Sequence, residues 1–277
     1  MAERSEYVLG QSERAARRLE IQDAHFGEIS ERLLDELQLK PTDRVIELGC
    51  GPGSLSKRIV RRLGAGGVLV GVDASEGLIN QARQALASEA PARFEPVVAD
   101  ISGLGNWLQG ADVVIGRAVL HHVPMVEIVL GRLQTIVRPG TRLGFLEPDF
   151  RSPVARLGKL ISAGRKELEP LLKWAIVINE LYLSNRISPD VGATLARTLE
   201  LAGCVDVRST WTQFPSDSLV AENMIMFYDE VRERIASLGI QSIEETDRQQ
   251  RLLRALPSGP LPAAWGMFRV VCRTGEM

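Results

Sequence analysis

The sequence predicts an α/β protein built on a doubly wound, mostly parallel sheet, and three observations carry that prediction. Between residues 42 and 150 short apolar runs alternate with stretches of helical period, the pattern of right-handed strand-helix-strand crossovers. The first run, Val45-Ile46-Glu47-Leu48, breaks into Gly49-Cys50-Gly51-Pro52-Gly53. Such a turn is tight enough for backbone amides to approach a ligand at a helix N-terminus. The second run, Val68 to Val72, ends in Asp73. That acid lies about 20 residues past the glycines, where a doubly wound sheet places a carboxylate to receive ribose hydroxyls.

Taken in order, residues 1–40 precede the first strand and read as a helical arm. Ser12 is placed to cap a segment through Gln22, and Phe26, Ile29, Leu33, Leu34 and Leu37 recur at helical spacing until Pro41. Strands are expected at 44–48, 68–73, 94–98, 112–116 and 142–147. Helices are expected from Ser54 to Leu63, after the cap Ser75, and from Met125 to Val137, stopped by Pro139-Gly140. After Asp149 the pattern changes: Ser152-Pro153 reads as an N-cap with a proline in the first turn. The segment from Leu168 to Leu183 is apolar nearly all round, through Trp174, Ile178 and Tyr182. Such a helix must be covered on most sides, either as the roof of an apolar substrate pocket or at a homodimer interface, and the sequence allows both. A helix after Ser188-Pro189-Asp190 ends at Gly203. Then come strand 205–211, a helix from about Ser216 to Leu238, a helix opened by the capping pair Ser242 and Glu245, and a last strand at 265–272.

The details of the glycine turn choose between cofactors. A nicotinamide fingerprint needs a third glycine at position 54, where Ser54 stands. Glu47 at the strand end would repel a pyrophosphate and attract a ligand carrying an ammonium and a sulfonium. The run Glu47-Leu48-Gly49-Cys50-Gly51-Pro52-Gly53 resembles motif I of the class I S-adenosylmethionine-dependent methyltransferases. The likeness covers residues 42–150 firmly and the flanks loosely, and Leu120-His121-His122-Val123-Pro124 is similar to the strand-four region of bacterial small-molecule enzymes of specialised metabolism.

That resemblance implies a Rossmann-like, seven-stranded, mostly parallel sheet with helices on both faces, completed by two antiparallel C-terminal strands. It implies S-adenosyl-L-methionine as cofactor, held against Glu47, Gly49, Cys50, Gly51, Gly53, Asp73, Ala74, Asp100, Ile101 and Arg117. Asp100 would receive the adenine amino group; read as a sequence position alone, it is a turn or helix cap. The whole of 1–277 is expected to form one methyltransferase domain. Within it lie the arm or lid at 1–40, a cofactor-binding half at 42–150, a helical cap on the substrate side at 151–203, and strands and helices at 204–277. By the same resemblance Tyr7 and Gln22 of the arm line the site as part of a lid over the cofactor, with ordinary packing of the arm the competing reading; Trp174 and Tyr182, on the apolar helix, are the candidates for the roof of the substrate pocket.

Composition narrows the partners. A net charge of -2 and a pI near 6.0 argue against a surface made for phosphate backbones, so no nucleic acid is expected. No run approaches the roughly 18 apolar residues of a membrane span, and the acidic N-terminus lacks a leader's apolar stretch. A cytoplasmic protein acting on a small molecule is the expectation. Three widely spaced cysteines, Cys50, Cys204 and Cys272, read as reduced core thiols.

Methyl transfer from a sulfonium is an in-line displacement, and proximity and alignment can supply much of the rate. An amine acceptor need only be unprotonated, whereas a hydroxyl or carbon acid needs a base. His121, His122 and Glu147 are the candidates for it, with Asp149 beside them. No Cys/His spacing completes a metal set, and the nucleophile-elbow, phosphate-loop and His-Glu-x-x-His motifs are absent. The alternatives are an enzyme that keeps the cofactor but performs a cyclisation or rearrangement, and a non-catalytic binding protein.

Overall fold

The computed structural model describes residues 13–89, 92–214, 217–257, 261–262 and 266–276. Its elements are α1 (Glu13–Leu37), β1 (Arg44–Leu48), α2 (Ser54–Val60), β2 (Val68–Asp73), α3 (Glu76–Leu86), β3 (Arg93–Val98), β4 (Val113–Arg117), α4 (Val126–Ile136), β5 (Arg142–Asp149), α5 (Ser152–Ser162), α6 (Glu169–Ser184), α7 (Val191–Leu201), β6 (Cys204–Gln213), α8 (Ser218–Ser237), α9 (Ile243–Arg254) and β7 (Gly266–Thr274).

The strands form one sheet in the order β3-β2-β1-β4-β5-β7-β6. The first five pair in parallel, with Ile46 opposite Val70 and Val114, and Val114 opposite Leu143. Thr274, at the end of β7, exchanges backbone hydrogen bonds with residues 140 and 141 just ahead of β5, so β7 runs against it. Ile46, Leu48, Val70, Val72, Val114, Leu143 and Phe145 face a core shared with Leu130 and Leu133 of α4 and Leu195 and Leu199 of α7. Alternate residues point the other way. There a Cβ on Gly144 would collide with Leu37 of α1, and Glu47 meets Ser56 of α2, so α1 and α2 cover the opposite face. The reversal of strand order beside β1 brings the loops after β1, β2 and β4 to one sheet edge, the place where such sheets bind ligands.

The chain divides into two compact units. One, residues 23–148, 190–212 and 267–277, contains the sheet; the other, residues 1–22, 149–189 and 213–266, contains α5, α6, α8 and α9. In the helical unit Trp174 packs edge-on against Phe150 and Phe227, with Tyr182 beside Phe150.

Several local expectations change. The arm is one continuous helix across residues 13–37 rather than two segments, because nothing between Gln22 and Phe26 breaks it. The cap of α5 comes from Asp149, whose Oδ1 accepts from the amides of Arg151 and Ser152, and not from Ser152 itself. Ser75 and Ser242 do cap α3 and α9, each hydroxyl accepting the amide three residues on.

Candidate functional site

The turn after β1 is held open by backbone conformation. Gly49, Gly51 and Gly53 have φ of 63, 54 and 92°, where any side chain would be strained. A Cβ on Gly49 would lie 2.3 Å from Cγ2 of Val119, so the loop after β4 rests directly on this glycine. The amide of Cys50 is anchored to the Val72 carbonyl at 3.0 Å. Asp73 completes the brace: its Oδ2 accepts from the Gly51 amide at 3.0 Å and its Oδ1 from the Ser75 amide at 2.9 Å. Burial pushes the Asp73 carboxyl up, and the backbone amides of Ser75, Gly51 and Ala74 pull it back only in part. A carboxylate has about four lone-pair sites, so these amides do not exhaust its acceptor capacity for hydroxyl groups. After β3, Asp100 accepts from the amide and hydroxyl of Ser102 through Oδ1 and caps the short turn Ile101–Gly103. Asp100 is exposed and Ile101 buried.

Glu47 is buried, and its Oε2 accepts the Ser56 hydroxyl at 2.5 Å. Burial pushes its carboxyl up to about 8, with the charges of Asp73 and Asp23 adding to the rise while Ser56 and Arg117 oppose it. A cation placed beside this group would favour the carboxylate form and so be bound with proton release. Cys50 is a buried thiol pushed above the ordinary range by burial and by the charges of Glu47 and Asp73. It is unsuited to act as a nucleophile.

Arg117, at the end of β4, donates from Nη1 to Asp23 at 2.6 Å and to the Ser30 hydroxyl at 3.0 Å, fastening α1 to the sheet edge. Burial raises Asp23, but Arg117 and Arg58 more than offset this and hold it below the usual carboxylate range. Arg58 extends the network to Glu31, which also meets Arg62.

The loop after β4 turns through Ala118, with φ of 52°, into a 3-10 turn, Leu120–His122. Glu147, fully buried, holds it from β5. Oε1 accepts from the amides of Val119 and Leu120 at 3.0 and 2.9 Å, and Oε2 accepts from the His121 amide at 3.2 Å and meets His121 Nδ1 at 2.8 Å. Burial pushes the Glu147 carboxyl up to about 7 against the pull of these amides. The His122 ring lies 4.0 Å from that of His121, centroid to centroid.

The sheet unit thus gathers Glu47, the glycine turn, Asp73, Ala74, Asp100, Ile101, Arg117, His121, His122 and Glu147 onto its strand ends and the loops that follow. Gln22, Trp174 and Tyr182 belong to the helical unit; Gln22 is half-buried, and both aromatics are buried. Tyr7 lies outside the described residues. Ser56, Asp23, Ser30 and Val119 were not singled out from sequence. Ser56 falls nine residues after Glu47 on the next helix, a spacing that identifies a partner only once the turn geometry is known. Among the described residues no cluster of His, Cys, Asp and Glu is arranged to hold a metal, and no helix is long and apolar enough to cross a membrane.

Comparison with known proteins bears on family and fold. A family model described as a methyltransferase domain matches residues 39–190. A trans-aconitate 2-methyltransferase of Variovorax paradoxus is 34% identical over 146 residues, covering 51% of this chain and 53% of that protein. An aklanonic acid methyltransferase of a Streptomyces strain is 27% identical over 127 residues, covering 46% and 58%. The chain therefore spans less than two thirds of the length of these relatives. The cyclopropane synthase MmaA2 of Mycobacterium tuberculosis superposes with a TM-score of 0.59 over 89% of this chain and 83% of its own, at 14% identity, a likeness of fold.

Proposed function

We propose, from the premise that this chain belongs to the methyltransferase-domain family, that it transfers a methyl group from S-adenosylmethionine to a small, partly apolar molecule. The observation that carries the reading is the Asp73 carboxylate bonded to the amide of Gly51, at the centre of three glycines in left-handed conformation. The residues present fit the cofactor. The glycine turn takes left-handed backbone angles that side chains would strain, Asp73 has acceptor capacity for ribose hydroxyls, and exposed Asp100 with buried Ile101 suits an adenine ring and its amino group. Glu47 supplies a buried carboxylate for a cationic end.

When bound, S-adenosylmethionine supplies an electrophilic methyl group on a sulfonium. The chain's part is to align and to exclude water. The glycine turn and Asp73 fix one end of the donor, and Arg117 with Asp23 and Ser30 secures α1 over the same sheet edge. His121 and His122 stand at the loop after β4, where an acceptor proton would be received if the acceptor is a hydroxyl or carbon acid. Two of the relatives are named for methylating acids, trans-aconitate and aklanonic acid, so an apolar molecule bearing a carboxyl or enol is the first acceptor class to offer this chain.

Titration calorimetry with S-adenosylhomocysteine, followed by transfer of labelled methyl from S-adenosylmethionine to a panel of apolar carboxylic acids, phenols and amines, tests the reading. Binding in the micromolar range with label in one acceptor class is expected. No binding of S-adenosylhomocysteine, or binding of a nicotinamide dinucleotide in its place, would overturn it.

A further inference from the structure

We propose that Glu147 is a positioning residue that locks the His121 imidazole in the tautomer protonated on Nδ1, leaving the ring's lone pair on Nε2. The consequence for catalysis rests on the methyl-transfer reading above; the tautomer itself does not.

The inference starts from counting donors. The amides of Val119, Leu120 and His121 all point at the Glu147 carboxyl, and an amide N–H can only donate. Three of the four groups around the carboxyl are therefore fixed as donors. The fourth, His121 Nδ1, donates or accepts according to its tautomer. A carboxylate, whose oxygens only accept, satisfies all four at once if the ring also donates. A protonated carboxyl fits worse. A hydrogen on Oε1 would face two amide hydrogens, and one on Oε2 would crowd the His121 amide while reaching for Nδ1.

The arrangement is also closed. Glu147 is 0% exposed, its four partners surround both oxygens, and a Cβ on Gly192 would come within 2.4 Å of its own carbonyl, so α7 seals the strand end from behind. A carboxylate so enclosed has no path to a substrate proton. It acts through the ring it holds, as a buried acid does when it fixes the tautomer and orientation of a histidine. Glu147 is thus removed from the list of bases. In this tautomer the lone pair of the ring is on Nε2, and the ring is itself buried at 4% exposure, so it acts as a base only on an acceptor seated directly against it.

The chain has three histidines, His25, His121 and His122, so long-range proton-nitrogen correlation spectra of the histidine-labelled full chain are simple to assign with His25→Ala and His122→Ala. Above neutral pH, His121 is expected to show a protonated Nδ1 and a pyridine-type Nε2. The Glu147→Gln variant should invert this pattern. Its single carbonyl oxygen is best used at the Oε1 position, where it serves two amides, which turns the amide NH2 towards Nδ1 and makes that nitrogen an acceptor. A wild-type His121 carrying its proton on Nε2 would overturn the proposal without any variant, whether or not Glu147→Gln folds. A folded Glu147→Gln whose His121 pattern matches the wild type would overturn it too. Methyl transfer is read separately: a protein with the Nδ1–H pattern that transfers no methyl would fail the functional reading and leave this one standing.

Discussion

The turn after β1 and the loop after β4 touch at Gly49, yet they are held by different means. The first is fixed by its own backbone and by near neighbours. Three glycines take left-handed angles, and the one side chain that braces them, Asp73, comes from the next strand, 22 residues on. The second depends on distant side chains. Glu147 reaches the Val119 amide from 28 residues away, and Asp23 meets Arg117 across 94 residues. The first stretch is a bare backbone turn, whereas the second holds imidazoles. A pattern of glycines and one acid is therefore enough to build this braced turn. Placing the side chains of the second loop requires buried charge, recruited from wherever the fold brings it.

Four measurements bear on this contrast. Glu47 sits in the glycine-turn stretch but its ionisation is governed by burial in the assembled sheet, which makes its titration the severest test. Its carboxyl is raised from 4.5 to about 8, so the folded chain binds a proton that the unfolded chain has released. Stability should then fall as pH rises through that window, being unaffected below the unfolded value. Glu47→Gln should be spared this loss, and its unfolding free energy should gain on the wild type between acidic and alkaline conditions, with an upper bound on the order of 4 to 5 kcal/mol. A constant difference across the window would show that Glu47 is hydrated and that the two loops are more alike than argued.

Glu147→Ala comes next, because it strips three amides of their acceptor. Urea denaturation should show a loss of about 3 to 4 kcal/mol, at roughly 1 kcal/mol or more per buried amide left unpaired. A loss below about 1 kcal/mol would mean that water enters and replaces the carboxylate. Asp73→Ala should cost about 1.5 to 3 kcal/mol in binding of S-adenosylhomocysteine, since hydroxyl donors lose their acceptor. Unchanged affinity would remove Asp73 from the binding turn. The smallest effect belongs to Ser75→Ala, which deletes a helix cap on the glycine-turn side and should lower stability by about 1 kcal/mol without changing His121. If it disturbed the His121 resonances, the two loops would have to be treated as one coupled element.

The same contrast explains what could be read from the sequence. The strands after residue 42 fall within one or two residues of their expected bounds because parallel, doubly covered strands are short apolar runs with little competition from other readings. The turn at Gly49 to Gly53 and its bond to Asp73 are legible in sequence because the geometry they need is local. Arg117 was placed against the cofactor by resemblance, and the structure shows it paired with Asp23 and Ser30. Nothing near residue 117 announces a partner in the first helix. Glu147 was visible only as an acid at a strand end. That it serves the Val119, Leu120 and His121 amides follows from the pairing of β4 with β5, a neighbourhood that the order of residues does not reveal. The continuity of α1 was missed for a different reason: the charged stretch around Gln22 and Asp23 lacks the apolar period by which a helix is recognised.

The missing side chain at Gly49 has a consequence for anyone who rebuilds this protein. Because Val119 occupies the space a Cβ would need, the two loops form a matched pair, a socket and the knob that fills it. Grafting the segment at 117–122 from a relative to alter which acceptors are used would succeed only if residue 119 still seats over a bare backbone at 49. The same contact makes a forecast about descent: because φ at residue 49 is 63°, a side chain there strains the turn whatever stands at 119, so residue 49 should stay glycine while residue 119 varies only within the seat above it. Libraries meant to change the chemistry should therefore hold Gly49 fixed and vary residue 119 only among side chains that still fit over it.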